Sequence, residues 1–141
     1  MKKGFVYVLV ATLAIFFLVS PSAFGADINL AKKSTLEKIV KSGKLRVGFE
    51  AGYMPFEMTD KKGKFVGFDM DIAREMAKAM STKENPVKFV PVNTAWDGII
   101  ASLVTDKFDI IISGMTITQS RNLQINFANP YIIVGDRKSV V

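Results

Sequence analysis

The 141-residue chain contains no cysteine and no histidine. The first absence excludes disulfides, thiolate nucleophiles and a lipid-modified N-terminal cysteine. The second removes the usual zinc sites and Ser-His-Asp catalysis. There is no G-x-G-x-x-G and no phosphate loop, so no nucleotide cofactor is expected. Basic residues outnumber acidic ones, 19 to 13. They are scattered, with no arginine-rich run and no basic stretch interleaved with aromatics, which argues against nucleic-acid binding. Only one tryptophan is present, Trp96. Neither a metal nor a cofactor is expected, and no paired nucleophile and base marks an enzyme.

What is present begins with a leader. Lys2 and Lys3 form a positive start, and Phe5 to Val19 is apolar apart from Thr12. Pro21 breaks that run, and Ala23-Phe24-Gly25 offers small residues for cleavage. This is the pattern of a signal peptide over residues 1–25, with an exported, periplasmic product. The apolar stretch is shorter than the roughly 20 residues a membrane span needs. Removing the leader leaves a net charge of +4, from 17 basic and 13 acidic residues.

Residues 26–33 are a polar lead-in. Ser34-Thr35-Leu36-Glu37 fits a capping box and Gly43 a stop, which predicts a helix from Thr35 to Ser42. Lys44 to Glu50 alternates, with Leu45, Val47 and Phe49 on one side, as a strand does. Phe56 to Thr59 and Lys64 to Val66 flank Asp60-Lys61-Lys62-Gly63 as a hairpin. A longer helix starts at Gly67-Phe68-Asp69, with Asp69 as N-cap and Ile72, Met76 and Met80 facing the core. Val87 to Val92 predicts a strand. Thr94-Ala95-Trp96-Asp97 then resembles a capping box opening a helix from Asp97 to Val104. Ile110 to Ile112 reads as a strand buried on both faces. Thr118 caps a two-turn helix from Gln119 to Ile125, and Tyr131 to Val134 is a last strand. Strands separated by helices imply an α/β fold with a largely parallel sheet and helices on both faces.

In such a sheet, ligands bind beyond the carboxyl ends of the strands. Those ends bring together Glu50, Tyr53, Trp96, Ser113, Gly114, Thr116 and Arg121. Arg121 sits at a helix start, where an anion would be favoured, and its guanidinium can fork onto a carboxylate. Each residue also has an ordinary reading. Arg121 could be solvated, Trp96 could cap the core, Tyr53 could cover the hairpin, and Glu50 could be a solvated strand end. Ser113 and Thr116 could serve only the turns. The functional case rests on their convergence at one edge.

The stretches K-L-R-V-G-F-E-A-G-Y-M-P-F-E-M, G-K-F-V-G-F-D-M-D-I-A, A-W-D-G-I-I-A-S-L, F-D-I-I-I-S-G-M-T-I-T-Q-S-R and I-N-F-A-N-P-Y cover nearly all of Lys44 to Tyr131. With these stretches the chain resembles the extracytoplasmic solute-binding proteins of polar amino-acid ABC transporters, bacterial family 3. The resemblance implies a type II periplasmic-binding-protein-like lobe over residues 44–135, and a monomer that delivers an amino acid to an ABC permease. It implies that Arg121 holds the α-carboxylate with Thr116, and that Ser113 and Gly114 meet the α-ammonium. Tyr53 and Trp96 would sandwich the side chain, with Glu50 at its polar end. Glu50 stands where many relatives have Asp, which leaves the side-chain preference open, although a carboxylate favours a cationic or amide group. Family members continue through a second lobe. The polar ending, residues 136–141, stands where an apolar crossover strand is expected. The expectation is therefore a truncated or frame-shifted product, its second lobe missing, that binds weakly or not at all by itself. Two alternatives stay open: an exported enzyme on the same scaffold, such as a cyclohexadienyl dehydratase with Glu50 as acid, and a sensor domain of a receptor or kinase.

Overall fold

The computed structural model describes residues 34–133. The leader, the polar lead-in, Val134, Gly135 and the polar tail lie outside the described residues. The chain runs α1 (Thr35–Ser42), β1 (Lys44–Phe49), β2 (Met58–Thr59), β3 (Phe65–Val66), α2 (Phe68–Ala79), β4 (Lys88–Asn93), α3 (Trp96–Val104), β5 (Ile110–Ile111) and α4 (Gln119–Asn122). β4, β1 and β5 form a parallel sheet in that order, with Lys44 opposite Lys88 and Val47 opposite Ile110. β2 and β3 pair as the expected antiparallel hairpin.

The strand at the centre is β1, not the Ile110 to Ile112 run. β1 has a partner on each side, and Leu45, Val47, Gly48 and Phe49 are all buried. Among the described residues β5 pairs with β1 alone, and Ile110 and Ile111 are only half-buried. Its apolar run matches a doubly covered strand in composition but not in position. On one face, Leu45 and Val47 pack with Ile39, Ala73, Ala77, Val87 and Ile112. On the reverse face the Phe108 ring lies directly against Gly48, where a Cβ would collide with it.

α1 follows its local signals. Ser34 Oγ accepts from the Glu37 N–H at 3.1 Å, and Gly43 ends the helix. α2 does not. Its N-cap is Gly67, at φ +129°, where any side chain would strike the Phe56 carbonyl. That close approach lets the hairpin cap the helix with backbone. Phe68 N–H donates to Pro55 O and Asp69 N–H to Phe56 O, at 3.2 and 2.9 Å. Asp69 is therefore not needed as a cap and turns inward, fully buried. The buried face of α2 is Asp69, Met70, Ala73 and Ala77, whereas Ile72, Met76 and Met80 flank the core half-buried. Small alanines allow helix and sheet to approach closely, so the bulkier side chains go to the margins.

Two further expectations change. The Thr94 box does not form: α3 starts at Trp96 with no side-chain cap from Ala95, and Thr94 Oγ1 contacts Val92 O instead. Tyr131, Ile132 and Ile133 form no strand and are exposed. The Tyr131 hydroxyl is anchored elsewhere, as described next.

Candidate functional site

At the carboxyl ends of the three parallel strands lies a cavity of about 360 Å³, lined by Glu50, Tyr53, Glu57, Trp96, Ser113 and Gly114. The strands put these residues together. Glu50 directly follows β1, Trp96 opens the helix after β4, and Ser113 and Gly114 follow β5. Glu50 is fixed by a bond its own neighbourhood in sequence does not announce: its Oε1 accepts from the Trp96 N–H at 3.1 Å. A carboxylate at a helix start satisfies an unpaired donor and suits the dipole. Glu50 thus takes the capping role expected of Thr94. Nearby, Ala51 N–H donates to Asn93 Oδ1 at 2.9 Å and ties the ends of β1 and β4.

Tyr53 is 57% exposed, so its ring faces solvent as well as the cavity. It stacks on Phe56 with centroids 5.3 Å apart. The rings continue edge-on to Phe68 at 6.2 Å and on to Tyr131 at 6.1 Å. Gly114 has φ +52°, and a Cβ there would come within 2.9 Å of the Tyr53 ring. Glycine at this turn therefore lets the aromatic wall close against the backbone.

Arg121 and Thr116 are not among the residues that line the cavity. Arg121 nevertheless lies on the same side: its guanidinium carbon is 5.3 Å from the centre of the Trp96 ring. Arg121 Nη1 donates to the Thr116 carbonyl at 2.8 Å. Among the described residues no carboxylate pairs with Arg121. α4 is a single turn rather than two, capped by Thr118 Oγ1 accepting from the Arg121 N–H at 3.3 Å. One turn gives little macrodipole, so the guanidinium, not the helix start, is the group that could hold an anion here.

Behind the cavity is a polar network that local sequence patterns miss. Glu57 is 1% exposed, between the half-buried Phe56 and Met58. The Ser113 hydroxyl donates to Glu57 Oε1 at 2.5 Å and accepts from the Glu50 N–H at 3.1 Å. The Gly114 N–H donates to Asp69 Oδ2 at 2.9 Å and to the Tyr131 hydroxyl oxygen at 3.1 Å. Tyr131 in turn donates to Asp69 Oδ2 at 3.0 Å. Burial pushes the Glu57 carboxyl up to about 7, with Asp69 and Glu50 adding to the rise and the Ser113 bond opposing it. Burial, with the Asp69 charge next, also raises the Tyr131 phenol. The sequence signals that could have exposed this network are an acid inside the apolar P-F-E-M and an aspartate two residues past the Gly67 N-cap. Both hydroxyl and N–H of the Ser113-Gly114 turn are occupied, but neither of its two carbonyls accepts a hydrogen bond from the described residues. The arrangement offers an acidic, aromatic-walled cleft with free carbonyls and an adjacent guanidinium.

At the amino end of β5, Asp109 is held by Arg46. Its carboxylate accepts from Arg46 N–H at 2.9 Å, Nε at 3.0 Å and Nη2 at 2.6 Å. Burial works to raise the Asp109 carboxyl, but the Arg46 hydrogen bonds outweigh it and hold it low. This pair lies at the opposite end of the sheet from the cavity.

A parallel α/β lobe with its cleft at the strands' carboxyl ends defines a ligand-binding lobe of the type II periplasmic-binding-protein kind. Within that class the chain belongs to the bacterial extracellular solute-binding proteins, family 3, whose pattern it matches over residues 45–141. It is similar to a Wolinella succinogenes protein assigned to an ABC transporter and solved in complex with lysine. That structure is 66% identical, with a TM-score of 0.59, over 64% of this chain and 36% of the other. Domain 1 of TmArgBP, solved in its arginine-bound form, is 44% identical with a TM-score of 0.61, over 67% of this chain and 71% of that domain. A cyclohexadienyl dehydratase of Pseudomonas aeruginosa PAO1 is 33% identical over 135 residues, which is 96% of this chain and 46% of the relative. Other matched relatives are named as periplasmic binding proteins for lysine, arginine and ornithine, for arginine, or for histidine. The chain spans less than half the length of the curated relatives it matches.

Proposed function

We propose that this lobe is the gripping half of an exported binding protein that takes a cationic amino acid to an ABC permease. The observation that carries this reading is the Glu50 carboxylate, fixed by Trp96 N–H and facing a cavity walled by Tyr53 and Trp96. A flat aromatic on each side and a carboxylate at the end suit the stem and head of lysine or arginine. Arg121, stacked on Trp96, takes the α-carboxylate with help from Thr116. The Ser113 and Gly114 carbonyls take the α-ammonium. The lysine-bound and arginine-bound neighbours support the cationic class, and the arginine-bound single domain supports binding by one lobe. The protein acts as a monomer in the periplasm after cleavage near Gly25, which N-terminal sequencing of the exported form tests.

Calorimetry of the protein against the twenty amino acids is the direct experiment. Lysine and arginine bind ahead of the neutral residues, and Glu50→Gln weakens them by about tenfold to a hundredfold, as loss of one charge-assisted bond predicts. Equal binding of neutral and cationic amino acids refutes the assignment. A second reading, an exported dehydratase with Glu50 as its acid, is favoured by the Pseudomonas relative. Release of product from prephenate or arogenate, abolished by Glu50→Gln, would establish it.

A further inference from the structure

Two buried carboxyl groups meet beneath the cavity, and each has an oxygen without a partner. Glu57 Oε2 and Asp69 Oδ1 accept no hydrogen bond, although the two residues are 1% and 0% exposed. Their partners are consecutive in the chain, Ser113 for Glu57 and Gly114 for Asp69, which sets the two carboxyl groups side by side. Their other oxygens are committed to Ser113 Oγ, and to Gly114 N–H and Tyr131 Oη. Two adjacent buried carboxylates left bare would each carry an unrelieved desolvation penalty and repel one another. One proton placed between them satisfies both orphaned oxygens and removes one of the two charges.

We propose that Glu57 and Asp69 share a single proton, and that this O–H···O bond makes Glu57 a positioning residue that holds the Ser113-Gly114 turn in shape for the ligand. The groups that act on Glu57 come from every element around it. They are Asp69 from α2, Glu50 past β1, Ser113 past β5, and Tyr131 through its bond to Asp69. Tyr53 lines the same cavity. Among the described residues no lysine or arginine bonds to Glu57 or Asp69, so no cation competes for the position. Glu57 acts through Ser113: its Oε1 receives the Ser113 hydroxyl proton, which leaves the serine lone pair for the Glu50 N–H. These two bonds therefore connect Glu57 to the backbone of Glu50, whose carboxylate faces the cavity. This inference adds proton linkage to the amino-acid-binding reading and rests on it only for the ligand arm of the test.

The sign follows from where the proton sits. The folded Glu57 carboxyl titrates higher than in an unfolded chain. The stability it contributes is complete below the unfolded value and is lost as pH rises through the folded one. The experiment measures urea unfolding of the full chain and calorimetric binding of L-lysine and L-arginine, at about pH 5.5, 7 and 8.5. The wild-type unfolding midpoint falls across that range. Glu57→Gln, whose amide donates to Asp69 while its oxygen still accepts from Ser113, flattens the profile. Infrared spectroscopy of the wild type shows a protonated carboxyl band at about pH 6 that Glu57→Gln removes, and this arm needs no stable variant beyond the comparison. A flat wild-type profile, no such band, or a Glu57→Gln profile as steep as that of wild type overturns the shared proton. Absence of lysine and arginine binding by wild type, with the pH profile intact, instead overturns the amino-acid reading and leaves the proton standing.

Discussion

Removing the Asp109 carboxylate should cost the fold several kcal/mol without touching the cavity. The Asp109 side chain is 2% exposed and that of Arg46 is 28% exposed. Asp109→Ala leaves the Arg46 N–H without its acceptor and the guanidinium without its charge partner. Breaking a buried pair by deleting one member costs about 3–5 kcal/mol. Arg46 is part-exposed and keeps its bonds to the Asp106 and Lys107 carbonyls, at 2.9 and 3.2 Å, so the lower end applies, about 3 kcal/mol. Lys38 adds little: its Nζ is 3.4 Å from Asp109 and its side chain is 42% exposed. Asp109→Asn retains an acceptor oxygen but not the charge, so it should cost about 1–2 kcal/mol. The assay is urea unfolding at neutral and acid pH. The folded Asp109 titrates below its unfolded value, so its contribution is present above the unfolded value and fades as pH falls through the folded one. Wild type and Asp109→Asn should therefore converge in acid. An Asp109→Ala cost under about 1 kcal/mol at neutral pH would mean that the pair is a surface contact and that the argument from burial is wrong.

Gly48→Ala drives a methyl group into the buried Phe108 ring and should destabilise by about 1–3 kcal/mol, read as a lower urea midpoint with an unchanged slope. Arg121→Lys keeps the charge but loses the planar fork and the stacking on Trp96, so amino-acid affinity should fall by about tenfold while stability stays within about 0.5 kcal/mol. Calorimetry beside urea unfolding separates those two effects, and unchanged affinity would remove Arg121 from the site.

Where local chemistry decides the structure, the sequence is a good guide. The Ser34 cap, the Gly43 stop, the hairpin around Asp60 to Gly63 and the Thr118 cap all form as read. The cavity is also legible in large part. Strand ends marked by Glu50, Trp96 and Ser113-Gly114 converge because parallel strands put their carboxyl ends on one edge. What escapes is decided by contacts between distant segments. An aspartate at a helix start reads as a cap, and only the approach of the Phe56 carbonyl frees Asp69 to turn inward. Glu57 is not singled out by any local pattern, and its burial is matched by the Ser113 hydroxyl 56 positions away. Tyr131 reads as the start of a strand, but its hydroxyl is bonded to Asp69, 62 positions away. Ile110 to Ile112 looks doubly covered because composition reports apolarity, whereas strand order, which sets the edge, depends on the whole chain.

The Arg46 and Asp109 clamp sits at one end of the strands and the aromatic cleft at the other. Substitutions at the rim of the cleft can therefore retune which ligand fits it while the structural pin stays fixed. A scaffold divided in this way can diversify its chemistry through its loops without first solving the folding problem again.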